Sequence, residues 1–185
     1  HRLIRDQMRR LSRAYTYDAA GRRLRHALHL DVSGAGAAGK TAKTNVLIAS
    51  HDLKFLNLAL NWLDDSGRYD FHYDIQRPSP KYQGPADLLA QADVIFCEWC
   101  STQAVWYSRN KRPDQRLYIR LHRVEAFTPY PKQVDISAVD GVIVVSDFFR
   151  DLCHREFGWP KEKLVVIPQY CVAEQFRRPQ IRVGG

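Results

Sequence analysis

Four stretches of this 185-residue chain carry side chains able to move protons or hold anions. The first is Arg120, His122, Arg123 and Glu125. An imidazole exchanges protons near neutral pH, a guanidinium clamps a phosphate through parallel N–H bonds, and a carboxylate accepts hydrogen bonds. The second is Cys97-Glu98-Trp99-Cys100. Its C-x-x-C spacing suits a redox pair or half a zinc site. Alternatively, Cys97 is a small buried residue that completes the apolar run, and Glu98 and Trp99 occupy the loop after it, facing a ligand cleft. The third is Ser50-His51-Asp52, three polar groups directly after an apolar run. The fourth, "SGAGAAGKT" from Ser33 to Thr41, spells a phosphate loop.

A phosphate loop binds anions only where a strand delivers it and a helix begins at its Lys-Thr end. Here Thr41 is followed by Ala42, Lys43 and Thr44 and then the strand-like run "NVLIAS". The preceding "RRLRHALHL" has helical rather than alternating leucine spacing. A run of small residues between a helix and a strand reads as a linker. Metal chemistry is equally thin. A zinc site needs two further ligands near Cys97 and Cys100, and Cys153-His154 offers little. No Asp-x-Asp pair occurs. Neither a metal nor a bound cofactor is expected.

The reactive stretches follow elements that the sequence marks clearly. Apolar or alternating strand-like segments are "NVLIA", "YDFHYDI" (69–75), "DVIFC" (93–97), "RLYIRLH" (116–122), "DGVIVVS" (140–146) and "KLVVIP" (163–168). Between them lie helical patterns at 53–65, in "ADLLAQA", at 101–110 with Ser101 as N-cap, and at 147–158 with a Gly stop. "RPSPKYQGP" is a loop, because its prolines and glycine forbid regular structure. Apolar strands alternating with helices specify a doubly wound, Rossmann-like α/β domain, with a parallel sheet of about six strands and helices on both faces. Ligands in such folds bind beyond the C-terminal strand ends, which is where Ser50, His51, Glu98, Trp99, His122, Arg123 and Glu125 fall. Arg120 and His122 share one face of their strand, since side chains alternate.

The chain carries a net charge of +8, of which residues 1–44 hold +7. The excess belongs to an N-terminal arm, so no specific nucleic-acid partner is expected for the folded domain. In the arm, Ile4, Met8, Leu11 and Tyr15 form one apolar stripe on an Arg-rich helix. Such a helix packs on its own domain or on a second copy, or lies at an anionic membrane surface. No run approaches the roughly 20 apolar residues of a membrane span, and a cytoplasmic protein, peripheral to the membrane at most, is expected. The expected organisation is a basic arm and Gly/Ala linker at 1–43, a Rossmann-like domain at 44–176, and at 177–185 the start of a connection to a further domain.

Three segments, "YIRLHRVEAF", "DGVIVVSDFFRDLC" and "WPKEKLVVIPQYCVAEQF", resemble in order and spacing the N-terminal domain of retaining family-4 GT-B glycosyltransferases. In that family a strand ends in His, a later strand runs into a Ser that opens a helix, and a Pro-x-x-Lys segment leads to a second domain. The resemblance covers about Asn45 to Phe176. It implies the acceptor-binding half of an enzyme that transfers a sugar from a nucleotide sugar to a glycan, glycolipid or cell-surface polymer precursor. It also implies that this half alone is inactive and that the donor is held mainly by a facing domain. His122 then becomes the candidate catalytic residue, and Ser50, His51, Glu98, Trp99, Arg120, Arg123 and Glu125 the candidate substrate-binding residues. Two departures stand out. Ser50-His51-Asp52 replaces the glycines usual after the first strand, and Gln169-Tyr170-Cys171-Val172 replaces Asn-Gly-Val-Asp. The competing reading is a nucleotide-binding or interaction module built on Gly34–Thr41, without sugar chemistry.

Overall fold

The computed structural model of the protein describes residues 43–169. The amphipathic arm, the phosphate-loop stretch and the Tyr170–Val172 departure lie outside the described residues. Six strands, β1 (Thr44–Ser50), β2 (Tyr69–Ile75), β3 (Val94–Cys97), β4 (Arg116–Leu121), β5 (Gly141–Val144) and β6 (Leu164–Val166), form one sheet. Its order is β2-β1-β3-β4-β5-β6 and every neighbouring pair is parallel. The fold is therefore the Rossmann-like α/β sheet that the alternating pattern specifies. The chain leaves β1 for β2 on one side and returns to β3 on the other, so the direction of winding reverses between β1 and β3. A crevice opens at such a reversal, and ligands of open α/β sheets gather there.

Alternation splits the strands' side chains between two cores. One face joins Leu47, Ile95, Ile119 and Val142 to Ala104, Tyr107, Leu152 and Cys153. These last four come from helices α3 (Thr102–Asn110) and α4 (Asp147–Phe157). The other face joins Val46, Ile48, Phe96 and Tyr118 to Leu56, Ala59, Leu60 and Leu63, on or just before α1 (Asn57–Asp64). Each fully buried aliphatic side chain contributes roughly 1.5–3 kcal/mol relative to exposure, so the two faces fix the register of every strand.

Local signals set the helix ends. The Ser101 hydroxyl accepts the Gln103 N–H at the start of α3, and Ser146 accepts the Phe149 N–H at the start of α4. Gly158 stops α4 at φ +68°, a conformation that suits Gly. Helix α1 starts four residues later than the apolar spacing from Leu53 suggests. The Asp52 carboxylate accepts the Lys54 N–H at 2.9 Å, and this side-chain turn competes with a helical start. As a result Phe55 leaves the helical face and turns toward the strand ends.

The proline-rich loop before α2 (Ala86–Gln91) is pinned from below. Buried Asp74, near the end of β2, accepts the hydroxyls of Tyr82 and Tyr107 and the side-chain N–H of Gln103. Gly84 lies flat on Trp106, where an added Cβ would sit 2.3 Å from the indole.

Candidate functional site

Register brings the reactive residues together. Ile48 pairs with Phe96, and Phe96 with Tyr118, forming the last apolar row on the α1 face. One step further along the strands that face carries Ser50, Glu98 and Arg120, all buried. A charged row thus follows directly on the apolar rows at the C-terminal edge, spanning the β1/β3 reversal.

Glu98 has no exposed surface, and its Oε1 accepts from Arg120 Nη1 at 3.2 Å. The same oxygen lies 3.2 Å from His122 Nε2, which is also 3.1 Å from the Glu98 carbonyl oxygen. Arg120 donates further to the Phe55 carbonyl at 3.2 Å and to Gln169 Oε1 at 2.6 Å. The second Glu98 oxygen, Oε2, is buried and has no hydrogen-bond partner. Such an atom costs about 1–3 kcal/mol.

Aromatic rings close the cluster. The rings of Trp99 and His122 stack at 4.2 Å, His51 lies 4.7 Å from Trp99, and Phe55 lies 5.1 Å from His122. The Trp99 indole N–H donates across the β1/β3 reversal to the Asp52 carbonyl at 2.7 Å. Lys54 Nζ stands 5.1 Å from the Phe55 ring and 5.5 Å from Trp99, while bound to Asp52 at 2.8 Å. Burial lowers the pKa of His51, whose Nδ1 is also sealed without a partner.

Of the residues singled out in the sequence, His51, Glu98, Trp99, Arg120 and His122 form this one cluster. Trp99 is buried rather than open for stacking on a ligand, and only 9% of the His122 side chain reaches the surface. Ser50 serves its own turn, donating to the Asp52 carbonyl at 2.8 Å and accepting the Asp52 N–H at 3.0 Å. Glu125 is buried and accepts the His122 backbone N–H at 2.9 Å, fixing the end of β4, and burial raises its pKa. Arg123 is exposed beside the cluster. Phe55, Lys54 and Gln169 join the site without having been named as candidate site residues. Gln169 carried a signal, since it follows the last strand. Phe55 carried none, because its spacing matches the helix.

The cysteines do not behave as a redox pair. Cys97 and Cys100 are free and fully buried. Burial pushes both thiols up, away from the reactive thiolate. Among the described residues no group of three or more His, Cys, Asp or Glu side chains is placed to hold a metal ion. No described helix is long and apolar enough to cross a membrane. Searches against protein-family models and against curated proteins find no match.

Proposed function

We propose that this domain is the acceptor-binding half of a glycosyltransferase that moves a sugar from a nucleotide sugar to a glycan, glycolipid or cell-surface polymer precursor. The observation that carries the reading is the Glu98–Arg120–His122 cluster at the point where the sheet's winding reverses. It is a charged row, sealed by aromatic rings, at the sheet edge where open α/β folds take their ligands. An imidazole held by a carboxylate orients or activates a sugar hydroxyl. Arg123, exposed at the rim, suits a phosphate or a polar acceptor group. The sequence likeness around His122 and Ser146 supports the same class, and with it a second domain that closes over this edge and binds the donor. On this reading the protein works in the cytoplasm, with its basic N-terminal arm as the contact to a membrane surface or to a second copy.

The test is release of nucleoside diphosphate from UDP-glucose, UDP-N-acetylglucosamine and GDP-mannose by the full-length protein. Substituting His122→Gln, which keeps much of the ring's volume, is expected to lower turnover about 100-fold or more, as loss of a positioned proton-transfer group does. A protein that hydrolyses or transfers none of these sugars, but binds ATP or GTP in a manner lost on Lys40→Ala, is instead a nucleotide-binding module.

A further inference from the structure

We propose that the groove along the outer face of α3 binds a neutral glycan chain, the part of an acceptor that trails away from the reacting sugar. The binding site stands on its own geometry, and only its place in an acceptor rests on the transferase reading above. The proline-rich loop forms one wall and the 129–133 turn the other, with Thr102, Trp106 and Arg109 of α3 between them. The volume is about 680 Å³, inside the range of roughly 300–1,000 Å³ that small-molecule sites occupy. In a parallel α/β sheet the crossover helix runs back against its strands, so Thr102 lies toward the C-terminal edge and Asn110 away from it. From Thr102 to Asn110 the helix rises about 12 Å, and the groove runs that distance down the flank of the domain.

Both walls are tied to the helix between them. At the edge end the Ser79 N–H donates to Thr102 Oγ1 at 3.2 Å. At the far end Arg109 Nη2 donates to the Gln133 carbonyl at 2.6 Å, and the Ser108 hydroxyl accepts the Asp135 N–H at 3.0 Å. Tyr82 holds the loop wall from beneath through its bond to buried Asp74. A groove fixed in this way loses little freedom when a ligand enters it.

The lining selects the ligand. Arg109 is the one charged side chain among the described residues that line the groove, and its guanidinium already holds the Gln133 carbonyl. Without a carboxylate the groove offers a cation no counter-charge, and a single engaged guanidinium does not match the repeated charges of a nucleic acid. What remains is two partly exposed aromatic side chains, Trp106 and Tyr130, among amides and hydroxyls. The side-chain amides of Gln83 and Gln133 and the Tyr130 hydroxyl bond to nothing among the described residues, and they supply both donors and acceptors. A sugar ring presents the matching pattern: a face of C–H groups to lie on an aromatic ring, and a rim of hydroxyls that donate and accept. A proline-rich peptide matches less well. It seats its rings between aromatic side chains standing side by side, whereas Tyr82, the ring of the loop wall that meets Trp106, is buried and perpendicular to it at 89°.

The test is titration of the 15N-labelled full-length protein with cellohexaose, maltohexaose, chitohexaose and mannohexaose, with no donor present. At least one is expected to bind with a Kd of about 1 mM or tighter, shifting the indole N–H of Trp106 and the side-chain amides of Gln83 and Gln133. Replacing Tyr130→Ala and Gln83→Ala together is expected to weaken that binding about tenfold or more, through loss of a ring contact and an amide bond. The melting temperature should stay near the parent's, since neither side chain is buried. The wild-type shifts locate the ligand even if the double variant fails to fold. Binding of none of the four sugars, binding that a folded double variant leaves intact, or shifts confined to Trp99 and His122 overturns the proposal. Binding of a polyproline peptide in place of sugar also overturns it and makes the groove a peptide site. Turnover of the nucleotide sugars named above with a silent groove overturns the groove and leaves the transferase reading standing. Sugar bound in the groove of a protein without turnover supports the groove and removes the transferase reading.

Discussion

Two buried carboxylates near the C-terminal edge of the sheet are treated in opposite ways. Asp74 Oδ2 accepts from Tyr82, from Tyr107 at 3.0 Å and from Gln103 at 3.1 Å, and its Oδ1 accepts from Gln76 at 2.9 Å. All four donors are neutral. Burial pushes both tyrosine hydroxyls well above their ordinary range, so they stay protonated and keep donating. Glu98 puts two nitrogen-bearing side chains on one oxygen and leaves the other with no partner. The first arrangement ties down the proline-rich loop. The second retains a destabilising atom beside an imidazole, an arrangement suited to chemistry rather than to stability.

The sharpest way to break this contrast is Asp74→Ala, which removes the acceptor shared by three buried side chains. It is expected to lower unfolding free energy by about 3 kcal/mol or more, read from denaturant midpoints. A loss below about 1 kcal/mol, the scale of a single ordinary hydrogen bond, would show that the carboxylate is not the pin of the loop. Gly84→Ala probes the same region through sterics. Its Cβ would lie 2.3 Å from Trp106, and displacing the indole is expected to cost about 1–3 kcal/mol. Unchanged stability would mean that Trp106 moves freely.

At the other carboxylate the expected stability effect is smallest. Replacing Glu98 and Arg120 together by Met removes a buried ion pair without orphaning either partner, and stability is expected to hold within about 1 kcal/mol or to rise. A large loss would make this pair structural, like Asp74. A weak pH dependence accompanies the site. The folded-state pKa of Glu125 is raised, so the native protein holds its proton more tightly than the unfolded chain does. Its contribution is therefore present below the unfolded carboxylate pKa of about 4.3 and fades as pH rises through the raised folded value. Stability measured across that interval should be flatter in Glu125→Gln.

The sheet was legible in the sequence because most of its strands are apolar runs, a pattern that follows from burial on both faces, while β2 alternates at the sheet edge. The candidate site was legible in part. Arg120 stands out as a charge inside "LYIRL", and His122 and Glu98 fall at strand ends. Their meeting was not legible, because it depends on β1, β3 and β4 lying side by side in one register. The burial of His122 also escaped the sequence, since Trp99 covers one side of the ring and Phe55, released from the helix by the Asp52 turn, packs against it. The Asp74 cluster joins residues 8 and 33 positions apart and had no local signal.

The central claim is that Glu98 sits in its cluster for chemistry, and Glu98→Gln in the full-length protein tests it most directly, with thermal unfolding and nucleotide-sugar turnover measured on the same preparation. The substitution keeps the shape and removes the charge. The account expects a lowered melting temperature, because Arg120 stays buried without its counter-charge, and turnover lower by about 100-fold at a temperature where the variant is still folded. Turnover that persists while the melting temperature collapses would contradict it.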